Sequence, residues 1–197
     1  MIRELIQAGH PALKAKNKKV TDFHAPEIKQ LITDLTETMH DAGLVGIAAP
    51  QIAENYLAFV TEPRQTDTRP ADQADELRVY FNPRIIAFSK EESIIYEGCG
   101  SIARGEDVEL FGPVSRPREI TVEAYDENGD KFQLRCDGLL ARVIQHEYDH
   151  IHGIEYIEKV SDYSKMVSKE HYMNHIKQSK EQTENSIITI KEYKTLV

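Results

Sequence analysis

Apolar side chains recur at helical spacing near the beginning of the chain. Over residues 26–42 they occupy the i, i+3, i+4 and i+7 positions of one helix face: Ile28, Leu31, Ile32, Leu35, Met39 and Ala42. Pro26 suits the first helical position, because its ring presets the helical backbone angle, and Gly43 suits the end. The spacing predicts a helix over 26–42.

A second helical pattern lies late in the chain, between Asp137 and Gly153. Asp137 is a favourable N-cap, and Gly153 suits a C-terminal stop. The apolar stripe between them consists of Leu139, Leu140, Val143 and Ile144. This second pattern therefore predicts another helix with one buried face.

Alternation of apolar and polar residues predicts short strands between these helices. It is cleanest over 119–126, and residues 131–136 return as the partner strand across a type I′ turn at Asn128–Gly129. Shorter strands are expected at 56–62, 79–82, 85–89 and 94–97. The charged segment 103–115 is expected to be irregular.

The fold class that these elements predict is α+β. Antiparallel or mixed β-sheets surround the late helix, the N-terminal helix packs behind it, and a C-terminal helix lies outside. The 197 residues suit one domain with a sizeable core, so we expect a single domain over 1–197. Within it, 182–197 is expected to be a C-terminal strand or a flexible tail.

Composition narrows the classes of function. No apolar run is long enough to span a bilayer, and the first four residues lack the basic and apolar regions of a secretion signal. A cytoplasmic location without a membrane partner is therefore expected. The net charge of −9 argues against nonspecific binding to nucleic acid, and we expect no specific nucleic-acid site. Two cysteines cannot build a disulfide framework, so one of them is free to be a metal ligand.

The late helix carries a motif with its own chemistry, His-Glu-Tyr-Asp-His at 146–150. His146 and His150 are four residues apart, which stacks them on one helix face where both can bind one metal ion. Glu147 follows the first histidine, so its carboxylate can reach a water beside the ion. Two histidines at this spacing also occur on solvated faces, but the glutamate favours metal binding. The central helix is thus predicted to be a His-Glu-x-x-His metal helix.

A catalytic zinc or iron site takes three protein ligands and keeps one position for water, so a third ligand is needed. The candidates are Cys99, Cys136, Asp149 and His152. Helix geometry points Asp149 and His152 off the ligand face, and Cys136 shares the inward face of its strand. Cys99, at a strand end between two glycines, is the best placed, although a lone cysteine can also be a small core residue. A Cys/His/His set beside Glu147 predicts hydrolysis of an amide or ester carbonyl.

Three separated segments, in order, resemble the three motifs of the peptide deformylase family. Residues 46–51 (Gly-Ile-Ala-Ala-Pro-Gln) are similar to its first motif, and 97–101 (Glu-Gly-Cys-Gly-Ser) to its second. Residues 145–150 (Gln-His-Glu-Tyr-Asp-His) match its third. The resemblance runs from about residue 10 to about residue 175. It implies removal of formate from the N-formylmethionine of nascent polypeptides.

The resemblance also implies roles for the residues of the centre. The metal ligands would be Cys99, His146 and His150, and Glu147 would be the general acid/base. The cofactor would be one divalent ion, Fe(II) in many members, with Zn(II) or Ni(II) as alternatives. The implied partners are an N-formylmethionyl peptide and the ribosome near its exit tunnel.

Contacts to the substrate follow from the same resemblance. Gln51 and the backbone N–H of Gly100 would hold the oxyanion of the tetrahedral intermediate. Five further residues would line the substrate groove or pair with its main chain: Val45, Gly46, Gly98, Arg142 and Val143.

Two positions depart from the family pattern. Leu44 stands where the first motif has glycine, and Gly100 stands where leucine follows the motif cysteine. Gly100 keeps its backbone donor but is expected to remove a wall of the pocket. The departures motivate two alternatives, an altered acyl-amide specificity and a non-catalytic module that keeps the fold. A zincin-type metallopeptidase is a third, with Glu155 or Glu158 as its downstream ligand.

Overall fold

Both helices predicted from apolar spacing are present in the computed structural model, which describes residues 1–103 and 109–196. The first, α1, spans Pro26–Asp41 and ends within one residue of the predicted boundary. The second, α2, spans Gly138–His150 and carries the two histidines and the glutamate of the motif. α1 buries one face and most residues of α2 are buried, so both helices need a surface that covers their apolar side chains.

The strands that provide this surface pair into two sheets. In chain order they are β1 Gly46–Ala48, β2 Ala58–Thr61, β3 Arg78–Phe88, β4 Glu92–Glu97, β5 Leu110–Pro117, β6 Glu119–Tyr125, β7 Lys131–Asp137, β8 Val167–Ser168 and β9 Ile190–Thr195. One sheet has the order β1-β2-β3-β6-β7-β9 and the other the order β4-β5-β8. Strand neighbours in the described ranges run antiparallel. The prediction of an α+β fold with antiparallel sheets is confirmed.

The larger sheet separates α1 from α2. Successive side chains of a strand point to opposite faces. On β1, Ile47 packs in the cluster of α1 residues, whereas Ala48 packs in the cluster of α2 residues. On β2, Val60 packs in the cluster of α1 residues and Phe59 in the cluster of α2 residues. The two helices therefore cover opposite faces of this sheet, and α2 is held against β1, β2, β6 and β7.

The start of α2 is fixed by the C-terminal tail. Gly138 has a φ of +65°, and a Cβ at this position would lie 1.8 Å from the carbonyl oxygen of Ile187, so only glycine fits. Asp137 stands at the N-cap position, but its carboxylate accepts from the backbone N–H of Thr189 at 2.7 Å and does not cap the helix. The predicted capping bond does not form, because the pairing of β9 with β7 brings Thr189, the residue before β9, to this carboxylate.

The predicted hairpin between β6 and β7 is present, but its turn is not of type I′. A type I′ turn needs positive φ at both central residues. Gly129 has a φ of +83°, whereas Asn128 lies outside the left-handed region. The carboxylate of Asp126 accepts from the N–H groups of Asn128 and Asp130, both at 2.9 Å. Asp126 thereby stabilises a longer loop with glycine at its left-handed position.

Other strand boundaries also differ from the prediction. Segments 79–82 and 85–89 belong to one strand, β3, in which Asn82 has a φ of +49° and the register against β6 shifts. Such an irregularity bends a strand without removing it from the sheet. Residues 110–115 were expected to be irregular but form most of β5, because 110–111 pair with β8 and 112–115 pair with β4. Residues 104–108 of that segment lie outside the described residues.

The C-terminal region does not form the single outer helix that was expected. It contains two short helices, α3 (Lys169–His171) and α4 (Lys180–Ser186), with a π-helical turn at Tyr172–Ile176 between them. The tail then forms β9, and Val197 lies outside the described residues. Within the ranges described, we find no helix with the length and apolar character that crossing a membrane requires.

Candidate metal centre

Three buried side chains from distant parts of the sequence meet at one point. The Cys99 thiol and one ring nitrogen each from His146 and His150 all lie within 4.8 Å of one another. The Sγ atom of Cys99 is 3.1 Å from Nε2 of His150. A thiolate with two imidazoles is a donor set that zinc and iron accept, and it leaves a position for water. The residues present therefore fit a divalent metal ion.

The remaining candidates for the third ligand are occupied elsewhere. Cys136 is buried in the core between the larger sheet and α2, and burial raises the pKa of its thiol. The carboxylate of Asp149 accepts from Nη1 of Arg116 at 2.6 Å. The His152 ring is exposed, and its Nδ1 lies 2.7 Å from the carbonyl oxygen of Tyr148. Each of these side chains faces away from the paired histidines, as helix geometry predicted for Asp149 and His152.

The downstream carboxylates that a zincin-type peptidase would need are also engaged. Glu155 and Glu158 both form ion pairs with Lys14, at 3.3 and 2.5 Å. Among the described residues, Cys99 is the only further metal-binding side chain grouped with the two histidines. The geometry therefore does not support the peptidase alternative.

Glu97 anchors the first histidine. Its buried carboxylate lies 3.0 Å from Nδ1 of His146, which leaves the opposite ring nitrogen for a metal. Arg116 donates to both of its oxygens at 2.8 and 3.0 Å, and Arg142 adds a bond at 2.9 Å. Burial raises the pKa of Glu97, but the two arginines and His146 outweigh burial and hold the pKa well below its ordinary value. A carboxylate behind a ligating histidine fixes its ring and its tautomer.

Sequence reasoning placed Glu97 in a motif without assigning it a role, and it assigned Arg116 no role. Both become visible only when β4 pairs with β5 and α2 packs beside them. The signal available in the sequence was the glutamate two residues before Cys99.

Glu97→Gln is expected to weaken metal affinity by about 10- to 100-fold, the range for loss of a carboxylate behind a ligating histidine. The amide cannot match the charge of two buried arginines, so the free energy of unfolding should fall as well. Chelator competition would measure the affinity. The matched control is Glu92→Gln, an exposed carboxylate on the same strand. Unchanged affinity in a folded Glu97→Gln variant would contradict the role.

Burial also sets the proton affinities of the neighbouring groups. It lowers the pKa of His150 well below the ordinary value, so this ring is neutral and able to bind a metal. Burial also opposes the charged form of His146, but hydrogen bonds to Cys99 and Glu97 outweigh it and raise its pKa. Metal binding to such a group displaces a proton.

Glu147 is a buried carboxylate next to the first histidine of the motif. Only 4% of the residue is exposed, and its Oε2 atom has no hydrogen-bond partner in the described part of the chain. Burial raises its pKa to about 7. A Cβ at Gly46 would lie 2.8 Å from the other oxygen, Oε1, so the glycine makes room for this carboxylate. Glu147 is thus suited to take up and release a proton near neutral pH.

The amide of Gln51 is oriented toward the same centre. Its Oε1 atom accepts from the N–H of Ala48 at 2.8 Å, which directs Nε2 toward the cysteine. That nitrogen lies 3.6 Å from Sγ of Cys99 and 3.2 Å from Oγ of Ser101. Gln51 therefore presents a donor beside the candidate metal ligands.

A cavity of about 360 Å³ opens onto these groups. Its lining includes every residue predicted to contact the substrate: Val45, Gly46, Gln51, Gly98, Gly100, Arg142 and Val143. The guanidinium of Arg142 bonds Glu97 and the carbonyls of Val114 and Ser93, so this side chain is a fixed part of the wall.

The two departures from the family pattern lie against each other. A Cβ at Gly100 would be 3.0 Å from Cδ1 of Leu44 and 3.2 Å from Cδ1 of Leu5. The Leu44 side chain therefore fills the space beside Gly100. The expectation that Gly100 removes a wall of the pocket needs correction, because Leu44 supplies that wall from another segment.

Comparisons with known proteins identify relatives over most of the chain. The family model described as polypeptide deformylase matches residues 2–166. The peptide deformylase of Christiangramia forsetii is 38% identical over 181 residues, which cover 88% of this chain and 89% of that protein. The peptide deformylase of Dictyoglomus thermophilum is 40% identical over 159 residues, covering 81% and 93%. The Met-Ala-Ser-bound class I type b peptide deformylase of Acinetobacter baumannii has a TM-score of 0.73 and 28% identity, covering 81% of this chain and 99% of that chain.

Proposed function

The chain belongs to the peptide deformylase family and removes the formyl group from nascent peptides, and on that premise we propose that Cys99, His146 and His150 bind its metal ion. The observation that carries this proposal is the meeting of one thiol and two imidazoles within 4.8 Å. Glu97 supports it by fixing the His146 ring. We propose Fe(II) as the native ion, with Zn(II) or Ni(II) as substitutes, because thiolate and imidazole ligands suit all three. When bound, the ion supplies Lewis acidity that activates a water and polarises the formyl carbonyl.

Glu147 acts as the general acid/base in this proposal. Hydrolysis of an amide requires a group that removes a proton from the attacking water and then protonates the leaving amine. The free Oε2 of Glu147 and its position one residue after His146 suit both transfers. Negative charge develops on the formyl oxygen during attack, and the Nε2 group of Gln51 and the backbone N–H of Gly100 would stabilise it.

The substrate main chain would lie between two outward-facing stretches of backbone. The N–H of Glu62 donates to the carbonyl of Val45 at 2.8 Å, so Val45 bonds toward β2. Because successive residues of a strand direct their backbone N–H and C=O groups to opposite sides, those of Gly46 point away from β2. On the opposite side, both main-chain polar groups of Tyr96 face away from β5. The alternation turns Gly98 the same way. A peptide could therefore add as a strand between Gly46 and Gly98, with Val45 lining the groove by its side chain.

Two wider proposals follow from this substrate. A nascent chain is attached to the ribosome while it is made, so we propose that the protein acts near the exit tunnel, in the cytoplasm. Cosedimentation with translating ribosomes would test this. We also propose that residues 1–197 fold as a single domain, which one cooperative unfolding transition would support.

Formate release from formyl-Met-Ala-Ser tests the activity of this centre. Anaerobically prepared Fe(II) protein should release stoichiometric formate, and the Zn(II) form, assayed beside it, should differ in rate. Acetyl-Met-Ala-Ser is the matched control and measures tolerance of another acyl group. A metal-bound protein that releases no formate would favour the non-catalytic module. Faster release of acetate than of formate would favour an altered acyl specificity.

A further inference from the structure

Part of the cavity wall is formed by a segment that the family model does not match. That model ends at residue 166, and the chain continues through α3, the π-helical turn and α4. Six residues of this continuation line the cavity: Lys169, Tyr172, Met173, Lys177, Gln182 and Ser186. The C-terminal segment therefore forms part of the wall of the groove.

Specific contacts fix this segment onto the groove. The side-chain amide of Gln182 accepts from the N–H of Tyr96 at 2.9 Å and donates to its carbonyl at 3.3 Å, as a neighbouring strand would. The ring of Tyr172 stacks on Phe111 with a centroid distance of 4.1 Å and an angle of 4°. Because Tyr96 lies two residues from Gly98 on the same edge, Gln182 limits how far a peptide can run along β4.

Two cations line the same cavity and have no counter-ion among the described residues. Arg69 and Lys177 both line it and are partly buried. Across residues 1–103 and 109–196, neither has a carboxylate within ion-pair distance, whereas Lys169 pairs with Glu109. Arg69 donates to the carbonyl of Arg64 at 2.9 Å, which holds its guanidinium in place. Arg69 and Lys177 come from different segments of the chain, and both line the same cavity.

The pKa shifts of Arg69 and Lys177 agree with positive charge that no carboxylate of the described residues neutralises. Burial lowers the pKa of Arg69, Tyr172 opposes this, and repulsion from Arg64 adds to it. Burial also lowers the pKa of Lys177, with added repulsion from Arg69 and Lys169. An anion at this wall would offset the repulsion that the cations impose on each other.

We propose that Arg69 and Lys177 bind a carboxylate that the substrate carries downstream of its formylmethionine. This inference rests on the proposed function, because it extends the same groove. The carboxylate can belong to an acidic side chain or to the C-terminus of a short formylated peptide, since both present the same anion. The protein would then favour acidic or very short substrates, although its own net charge is −9.

Matched peptides test the preference and separate the two sources. Formyl-Met-Ala-Glu-amide against formyl-Met-Ala-Gln-amide measures the side-chain carboxylate. Formyl-Met-Ala-Gln as free acid against its amide measures the terminal one. We expect kcat/KM to be about fivefold higher for at least one carboxylate, mainly through KM, which is the upper range for a partly exposed ion pair. The preference should weaken as salt rises.

The double variant Arg69→Gln/Lys177→Gln should bring the ratio of acidic to neutral rates to about one. Lys180→Gln, an exposed lysine on the same segment, is the control and should keep the wild-type ratio. Equal rates for all peptides in the wild type, or a preference that survives in the double variant, would overturn the carboxylate site. If none of the peptides releases formate, the proposed function is overturned, and this inference with it.

Discussion

Glu147→Gln is expected to keep its metal ion and to slow formate release by about 10²–10⁴-fold, the range for loss of a general acid/base. The substitution preserves the shape of the side chain and the space beside Gly46, but an amide cannot take a proton from water. The buried Oε2 atom has no partner in the described ranges, so no other hydrogen bond is lost there. Metal content and formate release, measured on the same preparation, give the result.

The control for this variant is Glu158→Gln, a half-exposed carboxylate beyond the end of α2. It removes the same charge and should leave formate release within a few-fold of wild type. Near-normal turnover by a metal-loaded Glu147→Gln protein would show that another group carries the proton.

Cys99→Ser is expected to abolish retention of the metal and to lower formate release by at least about 10³-fold, because the Lewis acid contributes several kcal/mol. Serine keeps the size of the side chain, but its hydroxyl stays protonated and is a much weaker ligand than a thiolate. The two histidines alone then leave the site one ligand short. Metal content after gel filtration and formate release are the two measurements.

The other cysteine provides a matched control for this experiment. Cys136→Ser places a hydroxyl in the core between the larger sheet and α2, so it should reduce the free energy of unfolding while the metal stays bound. Full metal content in Cys99→Ser, together with normal formate release, would remove the thiol from the centre.

Leu44 and Gly100 reverse the family pattern, in which the first position is glycine and the second is leucine. This reversal affects whether the two departures imply a more open pocket. In the family pattern the wall follows the motif cysteine, whereas here the Leu44 side chain fills the space that a side chain at Gly100 would need. The pocket is thus closed on that side despite both departures. Neither departure by itself therefore indicates loss of activity.

Local patterns were sufficient for the elements that carry the chemistry. Apolar spacing placed α1 to within one residue, and it placed His146 and His150 on one face of α2. Backbone geometry fixes the period of a helix or strand, so the sequence shows it directly. Local signals failed where a distant segment makes the deciding contact. The carboxylate of Asp137 bonds Thr189 of the C-terminal tail and does not cap α2. Residues of β5 form a strand because they pair with β4.

By itself, the sequence determined the motif helix, the class of fold and a short set of candidates for the third ligand. Only the tertiary structure decided that Cys99 reaches both histidines, that Glu97 orients His146, and that residues beyond the family motifs close the groove. The physical reason is range: periodicity and turn chemistry act over a few neighbouring residues. A metal site or a cavity, in contrast, is a meeting of strands and helices whose pairing depends on the burial of the whole core.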